Sequence, residues 1–189
     1  MDLCRIRPIA LALALAAALA PAAPAASGAP RVAHATMRSY AVGGTTDAQI
    51  RAHLDARAPA SPDGFYGDAF TRWNFRWSWP GYGSATCDLA KATLTLSVVV
   101  SFPRWTHPAG ASAAVAADWL RYTRALARHE QGHVDRVRAR DPLVLRAIKR
   151  ATCSTADAAA RAQLQLIRAQ DVAYDARTHH GATQGAHFP

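Results

Sequence analysis

Apolar and polar residues alternate along Thr71–Trp79, with Trp73, Phe75, Trp77 and Trp79 on one side and Arg72, Asn74, Arg76 and Ser78 on the other. A repeat of two belongs to a half-buried strand. It returns in Thr93–Phe102, where Leu94, Leu96, Val98 and Val100 alternate mostly with hydroxyl-bearing residues. For an aromatic row at this spacing, core packing is the first expectation and the wall of a cleft the second. Thr36–Val42 reads as a further strand. Thr46-Asp47-Ala48-Gln49 is a capping box that opens a short helix to about Arg57. Gly64–Gly67 and Pro80–Ser84 read as turns.

Beyond Ala113 the repeat lengthens. Val115, Trp119, Tyr122, Leu126, His129, His133 and Val137 follow steps of three and four, so one helical stripe carries them all. Arg121, Arg124, Arg128, Asp135 and Arg138 occupy the opposite, solvated face. Gly132 alone interrupts good helix formers from about Ala113 to Arg140. Asp141-Pro142 offers an N-cap and a first helical residue, so this helix is expected to stop and restart there. A last helix runs from about Ala156 to Ala176. The order predicts the α+β class: a small antiparallel sheet packed on a long helix and further C-terminal helices.

The buried stripe also carries the candidate chemistry. Glu130, the only glutamate among 13 acidic residues, lies in His129-Glu130-Gln131-Gly132-His133. This is H-E-x-x-H, in which two imidazoles one turn apart can share a metal ion and the glutamate, about 100° round the helix, can reach a water on it. A catalytic zinc takes three protein ligands and leaves a fourth position for water. With no glutamate after Glu130, a downstream glutamate ligand is excluded. Arg136 and Ala139 stand where the metzincin extension needs Gly and His, so that route is closed as well. The remaining candidates are Asp171, Asp175, His179 and His180. Asp171 and Asp175 share a helical face, and the histidines follow the helix end.

His129–His133 together with Tyr174-Asp175-Ala176-Arg177-Thr178-His179-His180-Gly181, a Trp-rich strand and one cysteine on each side of the motif helix, resembles a bacterial family of predicted secreted zinc-dependent proteases that is catalogued as a domain of unknown function. The likeness extends from about Thr36 to Ala186. It implies a zincin-like fold and one Zn2+ per chain, held by His129, His133 and, in the T-x-H-G frame, His180. Glu130 is the implied general base. In the peptidase that follows, Tyr174 or His179 would donate to the oxyanion, and Asp171 or Asp175 would orient a ligand imidazole.

The N-terminus bears on location. Arg5 and Arg7 precede the apolar run Ile9–Leu19 and an Ala/Pro stretch with small-residue cleavage sites, so residues 1–28 are expected to be a signal peptide and 29–189 one zinc-peptidase-like domain. No later run approaches the 18 or so apolar residues of a membrane helix. The expected location is secreted or periplasmic. Cys87 and Cys153 would then pair in an oxidising compartment, closing a loop of about 65 residues worth roughly 4 kcal/mol.

Net charge is +9, or +8 once Arg5, Arg7 and Asp2 leave with the signal. The basic residues are scattered, 20 of 22 are Arg, and no nucleic-acid module accompanies them, so the expected partner is a peptide or protein substrate and not nucleic acid. Electrostatic association with anionic envelope surfaces is a further expectation. The function expected is a secreted zinc metallopeptidase. Two alternatives stand beside it: an exported, non-catalytic zinc-binding envelope protein, and a zinc amidase acting on cell-wall peptides.

Overall fold

Both period-two segments form strands, and the sheet they build differs from expectation in one direction. In the computed structural model, which describes residues 30–58 and 67–189, β1 (Thr36–Val42), β2 (Phe70–Ser78) and β3 (Thr93–Trp105) lie in the order β1-β3-β2. The expected signal segment and most of the 64–67 turn fall outside the described residues. β2 is antiparallel to β3, with Phe75 opposite Leu96. β1, however, runs parallel to β3, with Met37 opposite Val100, so the sheet is mixed and not antiparallel throughout. The connection from β1 to β3 contains both α1 (Asp47–Arg57) and β2, which is long enough for the crossover a parallel pair needs.

α1 begins as its sequence predicts. The Thr46 hydroxyl accepts from the Gln49 amide at 3.3 Å, while the Gln49 side chain turns back to the Thr45 amide at 2.9 Å, one residue earlier than a strict capping box. Ile50 and Leu54 bury its inner face. Between α1 and the sheet sits Asp68, just ahead of β2. It receives two hydrogen bonds from Arg51, at 2.6 and 2.8 Å, and one from the Tyr122 hydroxyl at 2.7 Å. These bonds fix the start of β2 against both helices.

The long helix does not stop at Asp141-Pro142. α2 runs unbroken from Ala113 to Arg150, and α3 (Ala156–Thr178) returns along it. A proline inside a helix costs about 3 kcal/mol. The stripe outweighs this: Val134 and Val137 before Pro142, and Val144 and Ile148 after it, are all fully buried, each worth about 1.5–3 kcal/mol. Pro142 itself is exposed.

Cys87 and Cys153 are bonded, with Cα atoms 5.7 Å apart and a sequence separation of 66. The bridge ties the segment between β2 and β3 to the turn between α2 and α3. The aromatic row divides its work. Phe75 and Trp79 are buried in the core, whereas Trp73 and Trp77 reach α3 through their indole N–H groups, Trp73 to Asp171 at 2.9 Å and Trp77 to Asp157 at 3.0 Å. β2 is therefore clamped along α3. Among the described residues no helix is long and apolar enough to cross a membrane.

Candidate metal centre

His129 and His133 continue the apolar stripe of α2, and the fold buries both, to 4 and 8 % exposure. Their Nε2 atoms lie 3.3 Å apart. Facing them from α3 are Asp171 and Asp175, themselves one turn apart. Asp175 Oδ1 stands 3.2 Å from His129 Nε2 and 3.0 Å from His133 Nε2. Ligands about 2.0–2.1 Å from a tetrahedral zinc are separated from one another by about 3.3 Å. The three donor atoms already hold that spacing, and two imidazole nitrogens with one carboxylate oxygen suit a first-row divalent ion. The donor set fits one zinc.

Both imidazoles are held in orientation from behind. His133 Nδ1 is 3.1 Å from Asp171 Oδ1, and His129 Nδ1 is 2.9 Å from Gln184 Oε1. An acceptor at each Nδ1 keeps a proton there and aims the Nε2 atom at the shared point. Of the two aspartates expected to orient an imidazole, Asp171 is the one that meets an Nδ1. Gln184 reaches His129 because the short 3-10 turn Ala182–Gln184 is folded back over α2 and tied down by Phe188, which is buried at 1 % exposure against Trp119 and Tyr122.

Glu130 is 2 % exposed, and its Oε2 accepts from the Thr71 hydroxyl at 2.6 Å. It lines a cavity of about 870 Å3 together with the three donor residues, Thr71 and Trp73. Burial pushes the Glu130 pKa up, against the pull of His133 and of the Thr71 hydrogen bond. Burial also opposes charge on His133, but hydrogen bonds to Asp171 and Asp175 outweigh it and raise that pKa to about 9. Asp175 is desolvated too, yet the two imidazoles hold its carboxyl well below the usual carboxylate range. Without metal the centre is a compact charge network.

Two of the residues singled out in sequence take other places. His180 lies outside the three-atom group, half exposed at the lip of the cavity, with Nδ1 4.0 Å from Asp175 Oδ2. The reason is backbone geometry: α3 ends at Thr178, His179 and His180 both adopt left-handed conformations, and the His180 amide caps the Asp175 carbonyl at 2.9 Å. Asp175, still inside the helix, takes the third position. Tyr174, expected to donate to an oxyanion, is buried beneath the motif and does not line the cavity. Its ring stacks on His129 with centroids 5.0 Å apart, and its hydroxyl lies 3.3 Å from the His129 carbonyl and 3.2 Å from the Gln184 amide oxygen. Tyr174 therefore packs beneath His129 and stands outside the cavity lining.

Gly132 makes that support possible. A Cβ at this position would stand 2.6 Å from Tyr174 Cζ and closer still to its hydroxyl, so the glycine within H-E-x-x-H is what lets α3 approach. Sequence reasoning did not place Thr71, Trp73 or Gln184 at the centre, although it gave the aromatic row the wall of a cleft as a second expectation. For the first two a signal existed, since Thr71 and Trp73 share the inward face of β2. Gln184 had none, because its position depends on how the tail folds.

Neither the curated proteins nor the solved structures contain a match to this chain. A family model does match, over residues 37–181, which takes in β1 through the end of α3 and every donor residue of the centre. The chain belongs to the family described as "Bacterial protein of unknown function (DUF922)".

Proposed function

We propose that this chain is an exported zinc-dependent metallopeptidase of zincin-like plan. The observation that carries the reading is the triangle of His129, His133 and Asp175 donor atoms, 3.0–3.3 Å on a side, set in the cavity that Glu130 lines. His129, His133 and Asp175 would hold the ion. A zinc held there would polarise a peptide carbonyl and lower the pKa of a water to about 7.

The protein's own groups divide the remaining work. Thr71 holds one oxygen of Glu130, leaving the other to take the proton of the attacking water and return it to the departing amine. A carboxylate whose proton affinity is raised by burial suits a group that must keep that proton between the two transfers. Asp171 and Gln184 keep both imidazoles aimed. Export is supported by the Cys87–Cys153 bridge, which belongs to an oxidising compartment.

Glu130→Gln is the test, with a mixed peptide pool and purified cell wall offered in parallel and products read by mass spectrometry. Wild-type protein should cut the peptides, and the variant should cut them roughly 10^2–10^4-fold more slowly with unchanged zinc content. Equal rates in the two proteins would overturn the reading. Release from cell wall alone would favour the amidase.

One observation favours a second reading. His180 at the cavity lip, with Nδ1 4.0 Å from Asp175 Oδ2, is placed to supply a fourth protein ligand and close the centre. The chain would then be a non-catalytic zinc-binding envelope protein. Zinc retention would depend on His180, and no substrate would be cut.

A further inference from the structure

Where β2 runs along α3, the same arrangement of arginine, tryptophan and aspartate occurs twice, and only one copy is neutralised. In the first, Arg161 lies 5.9 Å over the Trp77 ring and its Nε donates to Asp157 at 2.6 Å, while Trp77 donates to the other oxygen of Asp157. Seven residues on, Arg168 lies 5.7 Å over the Trp73 ring, and Trp73 donates to Asp171. Here the carboxylate is engaged by His133 Nδ1 and the Trp73 indole. Among the described residues Arg168 has no acid within ion-pair distance.

Arg168 lines the same cavity as the metal centre. The other acids there all have partners: Asp68 with Arg51 and Tyr122, Glu130 with Thr71, and Asp175 with the two imidazoles. Arg72, a second cation on the cavity lining, sits 5.9 Å over Phe70 and likewise has no acidic partner among the described residues. An aromatic face beneath a guanidinium holds it in place while leaving its N–H edge free for an anion. The formal charge, +8 without the expected signal segment, adds a long-range attraction of the same sign.

Arg168 and Asp175 are seven residues apart on one face of α3, so about 10 Å separates them along the helix at 1.5 Å per residue. An extended peptide advances about 3.3 Å per residue. We propose that this cavity selects acidic peptides, with Arg168 as the specificity residue for an Asp or Glu side chain about three residues from the bond held at the metal centre, and Arg72 as a second, weaker contact. The cleavage position rests on the peptidase reading, whereas selection in binding does not.

The test uses zinc-loaded Glu130→Gln protein, which holds peptides without turnover, and fluorescein-labelled decapeptides that differ only in bearing Glu, Gln or Lys along one half. Anisotropy should show the Glu peptide binding about tenfold or more tighter than the Gln peptide, with the difference shrinking as salt rises. Adding Arg168→Gln should remove most of that difference, and Arg168→Glu should reverse it in favour of Lys. Arg161→Gln, whose arginine is already paired, should leave it intact. Equal binding of the Glu and Gln peptides, or a preference that survives the Arg72→Gln/Arg168→Gln double variant, would overturn the proposal. Cleavage of a peptide pool by wild-type protein separates the two readings: cutting without acidic preference sinks this inference alone, and acidic binding without cutting sinks the peptidase alone.

Discussion

Asp171 Oδ1 lies 3.1 Å from His133 Nδ1, and the carboxylate's other oxygen takes the Trp73 indole N–H at 2.9 Å. A strand is thereby coupled through one carboxylate to an imidazole of the candidate metal centre. Asp171→Ala should weaken zinc binding about 10–100-fold with the fold retained, as loss of a group that orients a ligand does. Trp73→Phe, which spares the carboxylate, should have a smaller effect in the same direction. Competition with a chromogenic chelator measures both.

Gly132→Ala sets helix propensity against packing. In an exposed helix the change would add about 1 kcal/mol of stability. Here the new methyl meets the Tyr174 ring, over which the Arg136 guanidinium is also stacked at 3.5 Å. The expected result is a net loss of about 1–3 kcal/mol in urea unfolding, with weaker zinc binding because His129 rests on the same ring.

Zinc binding should release protons. In the metal-free protein the Asp171 and Asp175 hydrogen bonds overcome burial and raise the His133 pKa to about 9, so at neutral pH this imidazole is protonated and the ion must displace that proton. Affinity is accordingly expected to rise by up to about tenfold per pH unit between pH 6 and 8, and to level off above about 9. Calorimetry in buffers of different ionisation enthalpy counts the protons. Affinity flat across that range would contradict the assignment of His133.

What the sequence disclosed was whatever depends on local periodicity. His129 and His133 are legible as a pair because a helix repeats every 3.6 residues, and Trp73 and Phe75 as one strand face because a strand repeats every two. The parallel pairing of β1 with β3 was hidden, since alternation marks a strand and carries no direction. Pro142 misled because its local preference for a helix start is overridden by Val144 and Ile148, whose burial is a tertiary fact. The third donor was half visible. Asp171 and Asp175 repeat on α3 the one-turn spacing of His129 and His133 on α2, but only the packing of α3 on α2 shows that the two pairs meet.

Reducing the bridge probes the fold apart from the metal. Cys87→Ser/Cys153→Ser opens a loop spanning a sequence separation of 66, for which chain entropy predicts a loss of roughly 4 kcal/mol. Unfolding midpoints should fall by that measure, while zinc stoichiometry in the folded variant should not change, because no donor residue lies next to either cysteine. Loss of the metal along with the bridge would mean that the two halves are held in register by the disulfide alone.

Zinc content of the purified protein, measured by elemental analysis beside Asp175→Ala and His180→Ala, tests the central assignment most directly. One zinc per chain is expected in the wild type, with loss or severe weakening in Asp175→Ala and retention in His180→Ala. Zinc kept by Asp175→Ala and lost by His180→Ala would contradict that assignment and move the third ligand to the tail. No zinc in the wild type, even after addition at pH 8, would remove the metal centre altogether.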